Sequence, residues 1–247
     1  MFHRKLNQYI PLFAIATIVQ TSIFPAISYA QFDPPPGNPG APIITYGTGS
    51  RANGKCAKDI ESQPQSVAAS NLPIDQQFTL VFPQKYFGMT ILPNPTFFAY
   101  VPKTSAIAIE FSLETKNDNN GFDRKTINLT NTPSIVSVQF DKSLEIGRDY
   151  NLIAAVICED EAKPDDSYSQ GIVRRIQLDP TLKTQLDKSS SIEKVSLYVK
   201  AGIWHEALAI VAQSLRSDPN NKDLKSQWQY LLKFSNLETL ANTPIKN

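Results

Sequence analysis

The strongest constraint on this chain is a change of period near residue 179. Between residues 76 and 178 apolar side chains recur at every second position, most plainly at Ile107, Ile109, Phe111 and Leu113. Successive side chains of a strand point to opposite faces, so this pattern describes strands with one buried face. Six further stretches read the same way: 77–82, 95–101, 122–130, 134–141, 149–159 and 170–178. From Asp179 onward the spacing turns helical. Strands first and helices last make an α+β chain, and seven strands separated by turns predict an antiparallel β-sandwich over 46–179.

A local motif sharpens that expectation. Leu144, Gly147 and Tyr150 form L-x-x-G-x-x-Y ahead of the most apolar run, YNLIAAVIC. The spacing is similar to the tyrosine corner of immunoglobulin-like sandwiches, where the phenol bonds upstream backbone and pins the crossover between sheets. The alternative is an ordinary turn with a core tyrosine.

Asp179-Pro180 reads as a helix cap followed by proline at the first helical position. Ser190-Ser191-Ile192-Glu193 reads as a capping box. Gly202, Trp204, Ala207, Leu208, Leu215 and Pro219 follow within AGIWHEALAIVAQSLRSDPNN, which is similar to the tetratricopeptide signature. In it the glycine permits the turn, the alanine lets helices approach, and the proline stops the second helix. A last helix over 222–234 carries Leu224, Trp228, Leu231 and Leu232 on one stripe and serves as a cap. One such hairpin cannot bury its own apolar face, so residues 180–240 are expected to pack on the sandwich.

The first thirty residues have the three zones of a secretory signal. His3, Arg4 and Lys5 precede an apolar segment from Tyr9 to Phe24, and Ser28-Tyr29-Ala30 offers small residues for cleavage before Gln31. A retained membrane anchor is the alternative, but Pro11, Gln20 and Pro25 interrupt the run short of the ~20 apolar residues a spanning helix needs. A proline-rich leader, 31–45, follows. Arg4 and Lys5 are the only charged side chains removed, which leaves 22 of the 24 basic residues against 23 acidic ones. That balance argues against a nucleic-acid or anionic-membrane binder. Cys56 and Cys158 are the two cysteines. In an oxidising compartment they read as one disulfide, with two buried thiols as the alternative.

Several segments occur together in a fixed order: GTGSRANGKC, LPNPTFFAYVP, LEIGRDY with its following cysteine, GIVRRIQL, and KAGIWHEALAIVAQSLRSDP followed by WQYLL. They resemble the cyanobacterial domain-of-unknown-function family 928 over residues 46–237. The family's pattern has tryptophan and tyrosine where Phe98 and His205 stand, and more glycine near Asn53. The resemblance implies an exported cyanobacterial protein and supplies no activity, cofactor or catalytic residue.

Side chains that could carry chemistry are few. His205 is the single histidine after residue 30, which leaves no histidine–cysteine zinc set, and no G-x-S-x-G elbow is present. It reads as a surface helix residue. The loop 117–121 has Lys116 and Ile127 where a calcium loop needs carboxylates, so it reads as a hairpin turn. The acidic run at Glu159, Asp160 and Glu161 reads as solvated. Adjacent Phe97 and Phe98 point to opposite faces of a strand, so with Tyr100 they are the candidate partner-binding aromatics, against a core reading. No cofactor and no metal are expected. The leading expectation is an exported, periplasmic or extracellular, non-enzymatic interaction module whose partner is a protein or glycan of the cell envelope. A hydrolase using unrecognised carboxylates and a structural matrix component are the rivals.

Overall fold

The computed structural model describes residues 56, 59, 73–83, 86–115, 123–159 and 167–246. The signal and leader segments, the loop 117–121, and the acidic run beyond Glu159 lie outside the described residues. Eight strands are described: β1 (Thr79–Leu80), β2 (Gly88–Thr90), β3 (Thr96–Val101), β4 (Ala108–Glu114), β5 (Asp123–Asn128), β6 (Ser134–Gln139), β7 (Asp149–Ile157) and β8 (Tyr168–Arg175). They form a three-stranded sheet, β1-β3-β6, and a five-stranded sheet, β2-β8-β7-β4-β5. All neighbours are antiparallel except β2, which runs parallel to β8 with Met89 opposite Arg174. The expectation of seven purely antiparallel strands missed β2 because three residues are too few to display a period. Ile107 also departs from the expected buried row. It lies just outside β4 and is 49% exposed, whereas Ile109, Phe111 and Leu113 are fully buried.

The interior between the two sheets collects Phe97, Ala99 and Val101 of β3 with Phe111 and Leu113 of β4, Leu152 and Val156 of β7, and Val173 of β8. Tyr150, at the head of β7, is buried there, and its hydroxyl accepts a hydrogen bond from the Glu145 N–H at 2.9 Å. Leu144 is buried beneath the same turn. Gly147 takes φ = 80°, a conformation that costs an L side chain energy and glycine nothing. Cys56 and Cys158 are joined in a disulfide with Cα atoms 5.5 Å apart, closing 102 residues of chain. The Asp59 carboxylate accepts from the Cys56 N–H, the Ser105 N–H and the Thr104 hydroxyl. Partial burial pushes that carboxyl up, but these donors outweigh it and hold it below its usual value.

Four α-helices follow the strands among the described residues: α1 (Pro180–Lys188), α2 (Ser191–Lys200), α3 (Trp204–Ser217) and α4 (Lys222–Lys233). Asp179 caps α1 by accepting from the Thr181 and Leu182 N–H groups, and Ser190 with Glu193 forms a reciprocal capping box on α2. Gly202, at φ = 67°, makes the turn between α2 and α3. Helices α2, α3 and α4 lie on the outer face of the three-stranded sheet. Val81, Phe98, Tyr100 and Ile135 of that sheet share one apolar cluster with Val195, Val199, Trp204, Leu208, Val211, Trp228 and Leu231. The small sheet is therefore buried on both faces, which explains the unbroken apolar run of β3. Beyond α4 the chain returns to the sheet. Ile135 donates its N–H to the Pro244 carbonyl and accepts from the Lys246 N–H, so residues 244–246 cover the free edge of β6.

Candidate functional site

The aromatic residues expected to face a partner are all buried: Phe97 is 0% exposed, Phe98 1% and Tyr100 2%. Strand alternation does send Phe97 and Phe98 to opposite sides, but the outer side is occupied by the helices. Phe98 meets the Trp228 ring edge-on at 6.3 Å, and the Tyr100 hydroxyl donates to the Asp75 carbonyl at 2.7 Å. Burial, aided by the charge of Asp75, pushes the Tyr100 phenol up to about 12. These side chains hold the molecule together and are not a docking surface.

The helical signature residues behave likewise. Ala207 and Leu208 are fully buried in the helix–sheet cluster, and Pro219 follows the end of α3. Trp204, at the first position of α3, donates its indole N–H to the Val81 carbonyl. It thus meets the sheet as well as the neighbouring helices. His205, read from sequence as a surface residue, is 1% exposed. Its ring lies 5.0 Å from Phe82 and 4.9 Å from Phe97, inserted at the edge of the sandwich. Gly88 leaves the space for it, since a Cβ there would sit 2.3 Å from the imidazole Nε2. Among the described residues neither ring nitrogen has a hydrogen-bond partner, and burial lowers the imidazole to about 3. Glu206, 4% exposed, clamps the chain after β2. Its Oε1 accepts from the Thr90 hydroxyl at 2.5 Å and from the Ile91 and Leu92 N–H groups at 2.8 and 3.0 Å. Desolvation raises this carboxyl despite those donors. A histidine and a glutamate side by side suggest acid–base chemistry, but both are closed off from solvent by packing and their contacts tie α3 to β2.

The opposite end of α3 is open. A cleft of about 370 Å³ is lined by Leu215 and Arg216 of α3, Pro219, Lys225 of α4, and residues 241–245 of the returning chain. Arg216 is half-buried and held from one side: its Nη2 donates to the Ser137 hydroxyl at 2.9 Å and to the Lys246 carbonyl at 2.7 Å. Both acceptors are neutral. Among the described residues no carboxylate forms an ion pair with Arg216 or Lys225. Desolvation lowers the guanidinium, as expected of a cation without a counter-charge. Pattern reading missed this site, because Arg216, Lys225 and Thr243 come from three separate elements and no motif links them.

Fold and cleft together define an α+β protein of two sheets followed by four helices, with a cationic cleft at the far end of α3. By sequence the chain belongs to the family described as Domain of Unknown Function (DUF928), whose profile matches residues 47–245. No curated protein matches it.

Proposed function

We propose that the protein is an exported, non-enzymatic interaction module of the cell envelope or extracellular space, and that the cleft beside Arg216 and Lys225 is where it receives its partner. The observation that carries the reading is a pair of cations at an open cleft, Arg216 and Lys225, that form no ion pair with a carboxylate among the described residues, since such a charge is available for complementary recognition. The lining is cationic and apolar, and a glycosidase would need paired carboxylates there.

Two finer architectural readings belong with this proposal. The strand orders and the Tyr150 to Glu145 bond support an immunoglobulin-like sandwich. The Gly202 turn, with Ala207 and Leu208 packed beneath it, supports a tetratricopeptide-like hairpin capped by α4. Both scaffolds recur in binding proteins, a likeness of fold rather than of site. Export rests on the three-zone N-terminus and on the disulfide, a bond that persists in oxidising compartments.

The test is retention of envelope components by the immobilised protein, compared between wild type and Lys225→Glu. A species held by the wild type and lost from the variant supports the reading; equal retention by both, or none by either, overturns it. Mass spectrometry of the N-terminus checks export separately, with a start at Gln31 expected and a membrane-retained full chain contradicting it.

A further inference from the structure

The chemistry of the cleft narrows what it accepts. Its cationic wall consists of the Arg216 guanidinium and the Lys225 ammonium. Asn242 and Thr243 add an amide and a hydroxyl, and neither side chain hydrogen-bonds any described residue. Leu215, Pro219, Ala241, Pro244 and Ile245 supply an apolar surface beside these groups. The volume lies at the small end of the ~300 to 1,000 Å³ range of ligand sites.

A carboxylate has two oxygens and about four acceptor directions, a demand met by the remaining Nη1 of Arg216, an ammonium, an amide and a hydroxyl, since Arg216 Nη2 is engaged by Ser137 and Lys246 and its Nε is buried. A phosphate asks for more. It is a multiply charged group best met by several converging backbone N–H groups, and the helix end beside Arg216 is the C-terminal one, whose dipole opposes any anion and a multiply charged one more than a single carboxylate. The apolar surface has no use for a bare inorganic anion but suits a ligand whose carboxylate sits on a small hydrocarbon body.

We infer that the cleft between the C-terminal end of α3 and residues 241–245 binds a free carboxylate carried on a short apolar body, of the kind found at the end of a peptide chain or in a small organic acid. The inference rests on the interaction-module reading and names the ligand chemistry of that same site. Arg216 and Lys225 supply the charge, Asn242 and Thr243 orient the carboxylate, and the apolar wall takes the attached carbons.

The probes are N-acetyl-alanyl-leucine as the free acid, the same dipeptide as its C-terminal amide, isovalerate, and inorganic phosphate, each titrated into the folded protein and followed by amide chemical shifts. The free acid is expected to saturate, moving Lys225 and Thr243, and to bind about tenfold more tightly than the amide, because a charge-assisted hydrogen bond is lost. Lys225→Glu should abolish this binding while melting like the wild type. Arg216→Lys, which keeps the charge, should weaken it less than Lys225→Glu does. Isovalerate binding as tightly as the dipeptide acid assigns the site to small acids, and weaker binding assigns it to peptide ends; either result supports the carboxylate site. Equal binding of acid and amide, no saturable binding of either acid, or phosphate binding more tightly than both acids overturns it. Retention of an envelope partner that depends on Lys225, with no carboxylate binding, would leave the interaction-module reading standing and remove this inference alone.

Discussion

The two ends of α3 carry opposite kinds of residue in opposite surroundings. At the N-terminal end Trp204, His205 and Glu206 are 0%, 1% and 4% exposed, and their partners are the sheet residues Val81, Phe97 and Thr90. At the C-terminal end Arg216, held by neutral oxygens, lines an open cleft with Lys225, and neither forms an ion pair among the described residues. The ionisable groups at the buried end are shifted toward their neutral forms, since burial penalises charge. At the open end desolvation lowers the half-buried Arg216 guanidinium as well. Buried titratable residues at one end of a helix can therefore be structural, while the cleft that we propose as the binding surface lies about three turns away, where Arg216 of α3 and Lys225 of α4 line it.

The largest effect that would break this comparison is at Trp204. Replacing it with alanine removes a fully buried indole that touches both sheet and helices, and should cost about 3 to 5 kcal/mol in a single calorimetric transition. If a chain ending at Asp179 melts as high as the whole, the helices are an independent attachment and the contrast between the two ends loses its meaning. Glu206→Ala comes next. It removes the acceptor of the Ile91 N–H and of the Thr90 hydroxyl, while the Leu92 N–H keeps its bond to Thr90 Oγ1, and denaturant titration should show a loss of about 1 to 3 kcal/mol.

The pH response tests the same end. His205 titrates in the folded protein at about 3 against an ordinary 6.5, so between those values the unfolded chain binds the extra proton. Stability contributed by the neutral imidazole is then present above 6.5 and falls on acidification, by up to about 1.4 kcal/mol per pH unit. Glu206 acts in the other direction. Its raised folded value means stability is lost as pH rises above 4.5 toward that value. His205→Leu should flatten the acid limb of a melting-temperature profile between pH 6.5 and 4 relative to wild type, and an unchanged slope would show that the imidazole is not buried as described. The smallest effect sharpens the contrast: Lys225→Glu, exposed at the open end, should leave stability within about 0.5 kcal/mol of wild type.

Much of the architecture was legible because it is written in local chemistry. The switch from period two to helical spacing, the Asp179 cap and the capping box at Ser190 each depend on residues within a few positions of one another, and all stand in the structure. The disulfide was legible by arithmetic, from two cysteines and a secretory start. The cleft was not. Arg216 becomes distinctive only through Ser137, 79 positions away, and Lys246, 30 positions away.

The sequence by itself determined the order and type of every described strand except β2, the starts of the capped helices and which faces are apolar, since backbone geometry and capping act over a turn or a pleat. Only the tertiary structure decided what covers each face. The run TFFAYV states that both sides of β3 avoid water, yet not that the sandwich takes Phe97 while the helices take Phe98 and Tyr100. The same holds for His205, whose surroundings are set by the space Gly88 leaves on a strand 117 residues earlier. Burial and charge compensation are sums over neighbours in space, and a one-dimensional pattern does not contain those neighbours.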